Sequence, residues 1–343
     1  MNIFWNDREG RIRGGWRIFL FLLTYLLLEG IFFLLLSSIG INMNLGQDNL
    51  LAELIIYGVL EMLIVFINLW FIGRLLDKRP FRDYGFGLDK SWWVNLVFGL
   101  LLGVILMTIT FLIELVLGWI EIVDVYQYNE RMPSLPIVLG AFLILFIGVG
   151  VSEEMNLRGY LLTNLAESFN FKWLGSHRAL VLAWVISSII FGILHIFNPN
   201  ASWVSSFNIC LAGIVLGLGY VLSGKLSIPI GFHISWNFMQ GNIFGFPVSG
   251  QDLPSNYGSI FQIQQIGPEH WTGGNFGPEA GLISITIMII GALTILAWQK
   301  ITTGSIKLEN RIAIYPVEID LEDKNEKVET VFDSTLENRS STF

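Results

Sequence analysis

Two adjacent glutamates, Glu153 and Glu154, close an otherwise apolar run, and Arg158 follows one helical turn after the second. Ionisable groups inside a bilayer are costly unless paired or hydrated, so such residues are candidates for function. On a helix, Glu154 and Arg158 stand four apart with the acid toward the N-terminus, the favourable order for an ion pair. Glu153, turned by about 100°, then faces elsewhere. An unpaired carboxylate in a partly dry setting can take a proton from water and hand it on. One acid would do chemistry and the other would anchor. The stretch by itself reads equally well as ordinary interfacial charge at the end of a span.

The histidines favour chemistry. Of four in the chain, His177 and His270 fall in loops, while His195 and His233 fall in apolar segments. "FGILH" sets Phe191 and His195 on one helical face, and "HISWN" does the same for His233 and Asn237. A lone buried histidine is usually a packing residue. Two of them, one with an asparagine on its face, beside a double glutamate, point to a shared site. His233 and Asn237 can both aim an N–H at a single oxygen, as an oxyanion hole requires. Glu153 and His195, from different helices, can bracket one water. Such a constellation would hydrolyse an amide without a protein nucleophile.

The elements that must position these residues are membrane helices. The chain has 343 residues, 53% hydrophobic and 14% charged, with a mean hydropathy of +0.61. A crossing helix needs roughly 20 apolar residues. Eight stretches approach that length, at about 15–39, 50–76, 92–120, 136–160, 180–198, 204–223, 226–246 and 281–301. The expected fold is an all-α polytopic bundle of about eight transmembrane helices, integral to a membrane, with the lipid bilayer as its surroundings.

Cytoplasmic loops retain Lys and Arg. With eight spans, nineteen of the twenty bases fall on one face and Arg131 alone on the other. Both termini are therefore expected in the cytoplasm. The first apolar run lacks a small-residue cleavage site and reads as a span rather than a removable signal. One cysteine, Cys210, allows no intrachain disulfide. Nothing calls for nucleic acid as a partner.

The organisation expected is a three-span segment at 1–134, a site-bearing core at 135–246, an extracytoplasmic loop at 247–280, a last span at 281–301 and an acidic cytoplasmic tail at 302–343. The Gly- and Pro-rich loop reads as an irregular cap. The tail reads as disordered.

At the residues above, the sequence resembles the CPBP family, the CAAX proteases and bacteriocin-processing proteins, also called the Abi family. Its EExxxR motif stands here as "EEMNLR", its FxxxH motif as "FGILH" and its HxxxN motif as "HISWN". The resemblance covers roughly 135–245, and "TGGNFGPEAG" resembles a bacterial branch, which implies a bacterial plasma membrane. It implies an eight-helix intramembrane endopeptidase of the type II CAAX prenyl protease kind. Glu153 and His195 would activate water, His233 and Asn237 would stabilise the oxyanion, and Glu154 and Arg158 would support the site. The substrate implied is a membrane-anchored protein or peptide. Asn156 departs from the aromatic or aliphatic residue common at its position.

Two histidines and a glutamate can also bind zinc. HExxH is absent and asparagine is a poor zinc ligand. Metal-free water activation with no cofactor is therefore preferred, and zinc on Glu153, His195 and His233 is the alternative. A GxGD aspartate is absent, and Ser223 lacks the GxSG context of a nucleophile and reads as a helix end. From other classes, a proton-coupled carrier could use Glu29, Glu61 and Glu114, with Asn68 or a polar group of another span as a partner for Glu61, although inverted repeats are absent. A catalytically silent scaffold or immunity protein on the same fold is the other rival.

Overall fold

A computed structural model of the chain describes residues 3–7, 9–39, 50–126, 134–252 and 257–315. Seven helical stretches among them are long and apolar enough to cross a membrane. They contain α1 (Gly14–Ser38), α2 (Leu50–Ile72), α3 (Lys90–Val116), α4 (Leu135–Glu154) with α5 (Thr163–Phe169), α6 (Gly175–Leu194), α7 (Trp203–Ser223) and, after α8, α9 (Leu282–Thr303). The architecture is the all-α membrane bundle expected from the apolar runs.

The segment expected as the seventh span, 226–246, is built differently. Helix α8 (Ser227–Phe238) has 12 residues and continues as a π turn, Met239–Ile243. Every residue from Ser227 to Asn237 is buried. It carries His233, Ser235, Asn237, Gln240 and Asn242, so it lacks the uniform apolarity of a lipid-facing helix and packs inside the protein instead.

Close backbone approach fixes the helices around it. A Cβ on Gly148 of α4 would lie 2.0 Å from the Gly58 carbonyl oxygen of α2. One on Gly99 of α3 would lie 2.4 Å from the Ile228 oxygen, and one on Gly231 would lie 2.4 Å from the Leu96 oxygen. Small residues allow this contact where no hydrophobic effect drives helices together in lipid. Helices α2 and α3 thus back the site-bearing helices α4 and α8, and segments 1–134 and 135–246 share one bundle.

The loop expected to be irregular contains a strand. Residues Phe261–Gln265 (β4) pair antiparallel with Ile120–Val125 (β3), placing Ile120 opposite Gln265. "IEIVDV" holds four β-branched residues in six, a strand signal hidden by its position at the end of an apolar run. A smaller pair, Trp5–Asn6 (β1) with Arg11–Ile12 (β2), precedes α1.

The tail is ordered at its start, against expectation. Ile312, Ala313 and Tyr315 are buried, and the Arg11 guanidinium lies 3.5 Å from the centre of the Tyr315 ring. Stacking on arginine and burial of apolar residues hold this part down. The rest of the tail, 316–343, and Arg131 lie outside the described residues.

Candidate active site

Helix α4 ends with the two glutamates, and the chain widens at once into a π turn, Met155–Leu162. Such turns are frequent at functional positions. Glu154 is fully buried. Its Oε1 accepts from Arg158 Nη1 at 2.8 Å and from His233 Nδ1 at 2.9 Å. Arg158 also donates through Nη2 to the Gly213 carbonyl at 3.2 Å, and its guanidinium stacks 4.4 Å from the Phe191 ring centre. Glu153 turns away from this cluster. Its side chain is 34% exposed, and its Oε2 stands 3.9 Å from His233 Nε2.

His195 follows the last residue of α6, on a short 3-10 turn, His195–Phe197. Its Nδ1 lies 2.8 Å from the Phe191 carbonyl oxygen. A carbonyl only accepts, so Nδ1 carries the proton, and the neutral ring presents a bare Nε2 that can receive one. Phe191 sets both rings: His195 packs edge-on at 4.8 Å and His233 at 6.1 Å between centres.

Glu153, His195, His233 and Asn237 line one cavity of about 480 Å³, together with Asn198, Ser249 and Gln251 and apolar side chains that include Leu54, Phe142 and Phe146. The four residues singled out in the sequence therefore meet at a single water-accessible space. Glu154 and Arg158 lie behind it. Chemically, the arrangement offers a carboxylate and an imidazole nitrogen as proton acceptors. It also offers an amide and a second imidazole on one helical face.

Glu279 was not singled out in the sequence. It precedes α9, is buried, and accepts through Oε2 from both the backbone N and the Oγ of Ser249, each at 2.9 Å. Asn198 Nδ2 donates to the Ser249 carbonyl at 3.0 Å. Glu279, Ser249, His195, His233 and Asn237 also line a small adjoining hollow. Burial pushes the Glu279 carboxyl above its usual range, against the Ser249 hydrogen bonds. The sequence signal was a glutamate inside the Gly/Pro cluster "GNFGPEAG".

Among the described residues, no three His, Cys, Asp or Glu side chains gather as a set that could hold a metal ion. His233 Nδ1 is committed to Glu154 and His195 Nδ1 to a carbonyl. Both bonds leave Nε2 of each ring free, so zinc on Glu153, His195 and His233 would have to be held through those two nitrogens and the Glu153 carboxylate.

The three extra glutamates do not share a path. Glu29 and Glu61 line a separate hollow of about 230 Å³ beside Tyr57, while Glu114 is buried on α3 away from it. Glu61 accepts from Tyr25 of α1, whose hydroxyl donates to Oε2 at 2.8 Å. Asn68 instead meets Thr24 Oγ1 at 2.6 Å and donates to the Phe21 carbonyl at 3.0 Å.

Fold and site together define an integral membrane protein with a polar Glu/His/Asn cavity inside a helical bundle. Residues 135–239 match the family model described as type II CAAX prenyl endopeptidase Rce1-like, consistent with the CPBP family. A Bacillus subtilis (strain 168) protein, "Uncharacterized protein YyaK", is 25% identical over 256 residues, which cover 69% of this chain and 80% of that protein. No solved structure matches the chain.

Proposed function

We propose that the chain is an intramembrane endopeptidase that hydrolyses a peptide bond of a membrane-anchored protein or peptide by activated water. The observation that carries this reading is the convergence of Glu153, His195, His233 and Asn237 on one cavity. A water between Glu153 and the bare Nε2 of His195 gives up one proton to one of these two bases while hydrogen-bonding to the other. The hydroxide attacks the scissile carbonyl, and the N–H groups of Asn237 and His233 receive the oxygen as it becomes negative. His233 can donate through Nε2 only when both ring nitrogens carry protons, since Nδ1 already donates to Glu154. The proton held at Glu153 or His195 then passes to the leaving amine.

Glu153→Gln removes the base and conserves shape. Turnover should fall by about 10²–10⁴-fold with thermal unfolding in detergent unchanged. The assay is terminal proteomics on membranes holding either form, with a chelator arm. Cleavage that survives Glu153→Gln overturns the reading, and chelator-sensitive cleavage restored by zinc overturns its metal-free form.

A further inference from the structure

The two ends of the bundle differ in charge. Among the described residues, the end formed by the loops after α2, α5 and α7 gathers Arg79, Lys90, Lys172 and Lys225. The opposite end, over residues 117–126, 198–202, 244–252 and 257–281, holds no Lys or Arg among these residues and carries Glu121, Asp124, Asp252 and Glu269. By the retention of bases in the cytoplasm, this acidic end is the exported one.

The cavity reaches that end. Leu54 lies near the start of α2, Phe142 in the first half of α4, and His195 and Asn198 where α6 stops. Ser249 and Gln251 come from the cap, with Gln251 exposed at the rim. Toward the basic end the way is closed. Met155, Leu157, Arg158, Tyr160 and Leu161 pack below Glu153, none more than 7% exposed.

We infer that the cavity opens to the exported face, so that the bond it cleaves lies on the extracytoplasmic flank of a membrane-anchored peptide. This rests on the endopeptidase reading. A peptide on the cytoplasmic side meets the packed layer below Glu153, whereas one on the exported side meets an open rim. The apolar walls suit an extended apolar stretch, and the acidic residues of this end favour peptides whose flanks are neutral or basic.

The test uses the full chain in cells, in a Cys210→Ala background. Gln251→Cys should react with a membrane-impermeant maleimide in intact cells, and Lys307→Cys only after permeabilisation. The reverse pattern overturns the inference. In parallel, terminal proteomics compares cells holding the active chain with cells holding Glu153→Gln. New termini should map to exported flanks of membrane proteins. Glu153-dependent termini confined to cytoplasmic flanks overturn the inference and leave the endopeptidase standing. Absence of any Glu153-dependent terminus overturns the endopeptidase reading and this inference with it, while the labelling arm still reports which face the cavity meets.

Discussion

Glu154 holds two partners on one oxygen, Arg158 and His233, and so couples stability to the site. Removing one member of a buried pair leaves the other charge uncompensated. Arg158→Ala should cost about 3–5 kcal/mol, whereas removing both charges together costs far less. Thermal unfolding in detergent of Arg158→Ala, Glu154→Gln and the Glu154→Gln/Arg158→Met pair should show most of the loss recovered in the pair. The glutamine keeps an oxygen for His233 Nδ1. An Arg158→Ala protein that is fully stable but inactive would move Arg158 into direct contact with substrate. Glu279 makes a second prediction. Its folded carboxyl titrates above the reference value of 4.5 because of burial, so the unfolded chain loses that proton first. This contribution to stability is complete below the unfolded value and is lost as pH rises through the folded one. Glu279→Gln keeps an acceptor for Ser249 and abolishes the titration, so its unfolding temperature should fall less over that rise in pH than that of the wild type. Parallel curves would remove Glu279 as the source.

Helix crossings decide how well these side chains meet. Gly148 lies five residues before Glu153, and a Cβ added to it would lie 2.0 Å from the Gly58 carbonyl oxygen. Gly148→Val must push α2 from α4, a clash with backbone that no rotamer relieves, and should cost about 1–3 kcal/mol. Activity should fall with it, because the displaced end of α4 carries both glutamates. Gly140→Ala, on the same helix with open space at its Cβ, should change neither. An unaltered melting point for Gly148→Val would mean that the α2–α4 contact is looser than this geometry. The same reasoning covers α8, which can be short and polar because α3 meets it backbone to backbone.

Across the whole molecule, the basic end holds a buried ion network beneath exposed bases such as Arg82, Lys90 and Lys172. Glu167 Oε2 accepts from Arg11 at 2.7 Å and Arg17 at 3.1 Å, and Glu167 also pairs with Arg79. Asp77 takes Arg17 at 3.3 Å and the Tyr84 hydroxyl. This ties the N-terminal segment, the end of α2, α5 and, through Tyr315, the start of the tail. Glu167→Ala strands three arginines and should lower stability by about 3–5 kcal/mol, read as unfolding temperature in detergent. No change would mean that Asp77 and Glu9, which lies 2.6 Å from Arg11, suffice to hold them.

The membrane bundle, and the four polar residues Glu153, His195, His233 and Asn237 that line one cavity, were legible in the sequence. Apolar length is a local property, and spacings of four set Glu154 with Arg158, Phe191 with His195 and His233 with Asn237 on shared helical faces whatever the tertiary arrangement. Partners between helices were not legible. That His233 spends Nδ1 on Glu154, that Phe191 seats both imidazoles, that Glu61 meets Tyr25 rather than Asn68, and that Glu279 reaches Ser249 all depend on which faces turn toward one another. The inward turn of α8 depended likewise on glycines in α3 and α8 that permit backbone contact, and the arginines taken for loop charges were drawn inside by Asp77 and Glu167. The sequence limits each helix to a few usable faces; only the packed bundle decides which polar groups come within hydrogen-bond reach, because that reach is a few ångströms and the residues joined lie as many as 235 positions apart.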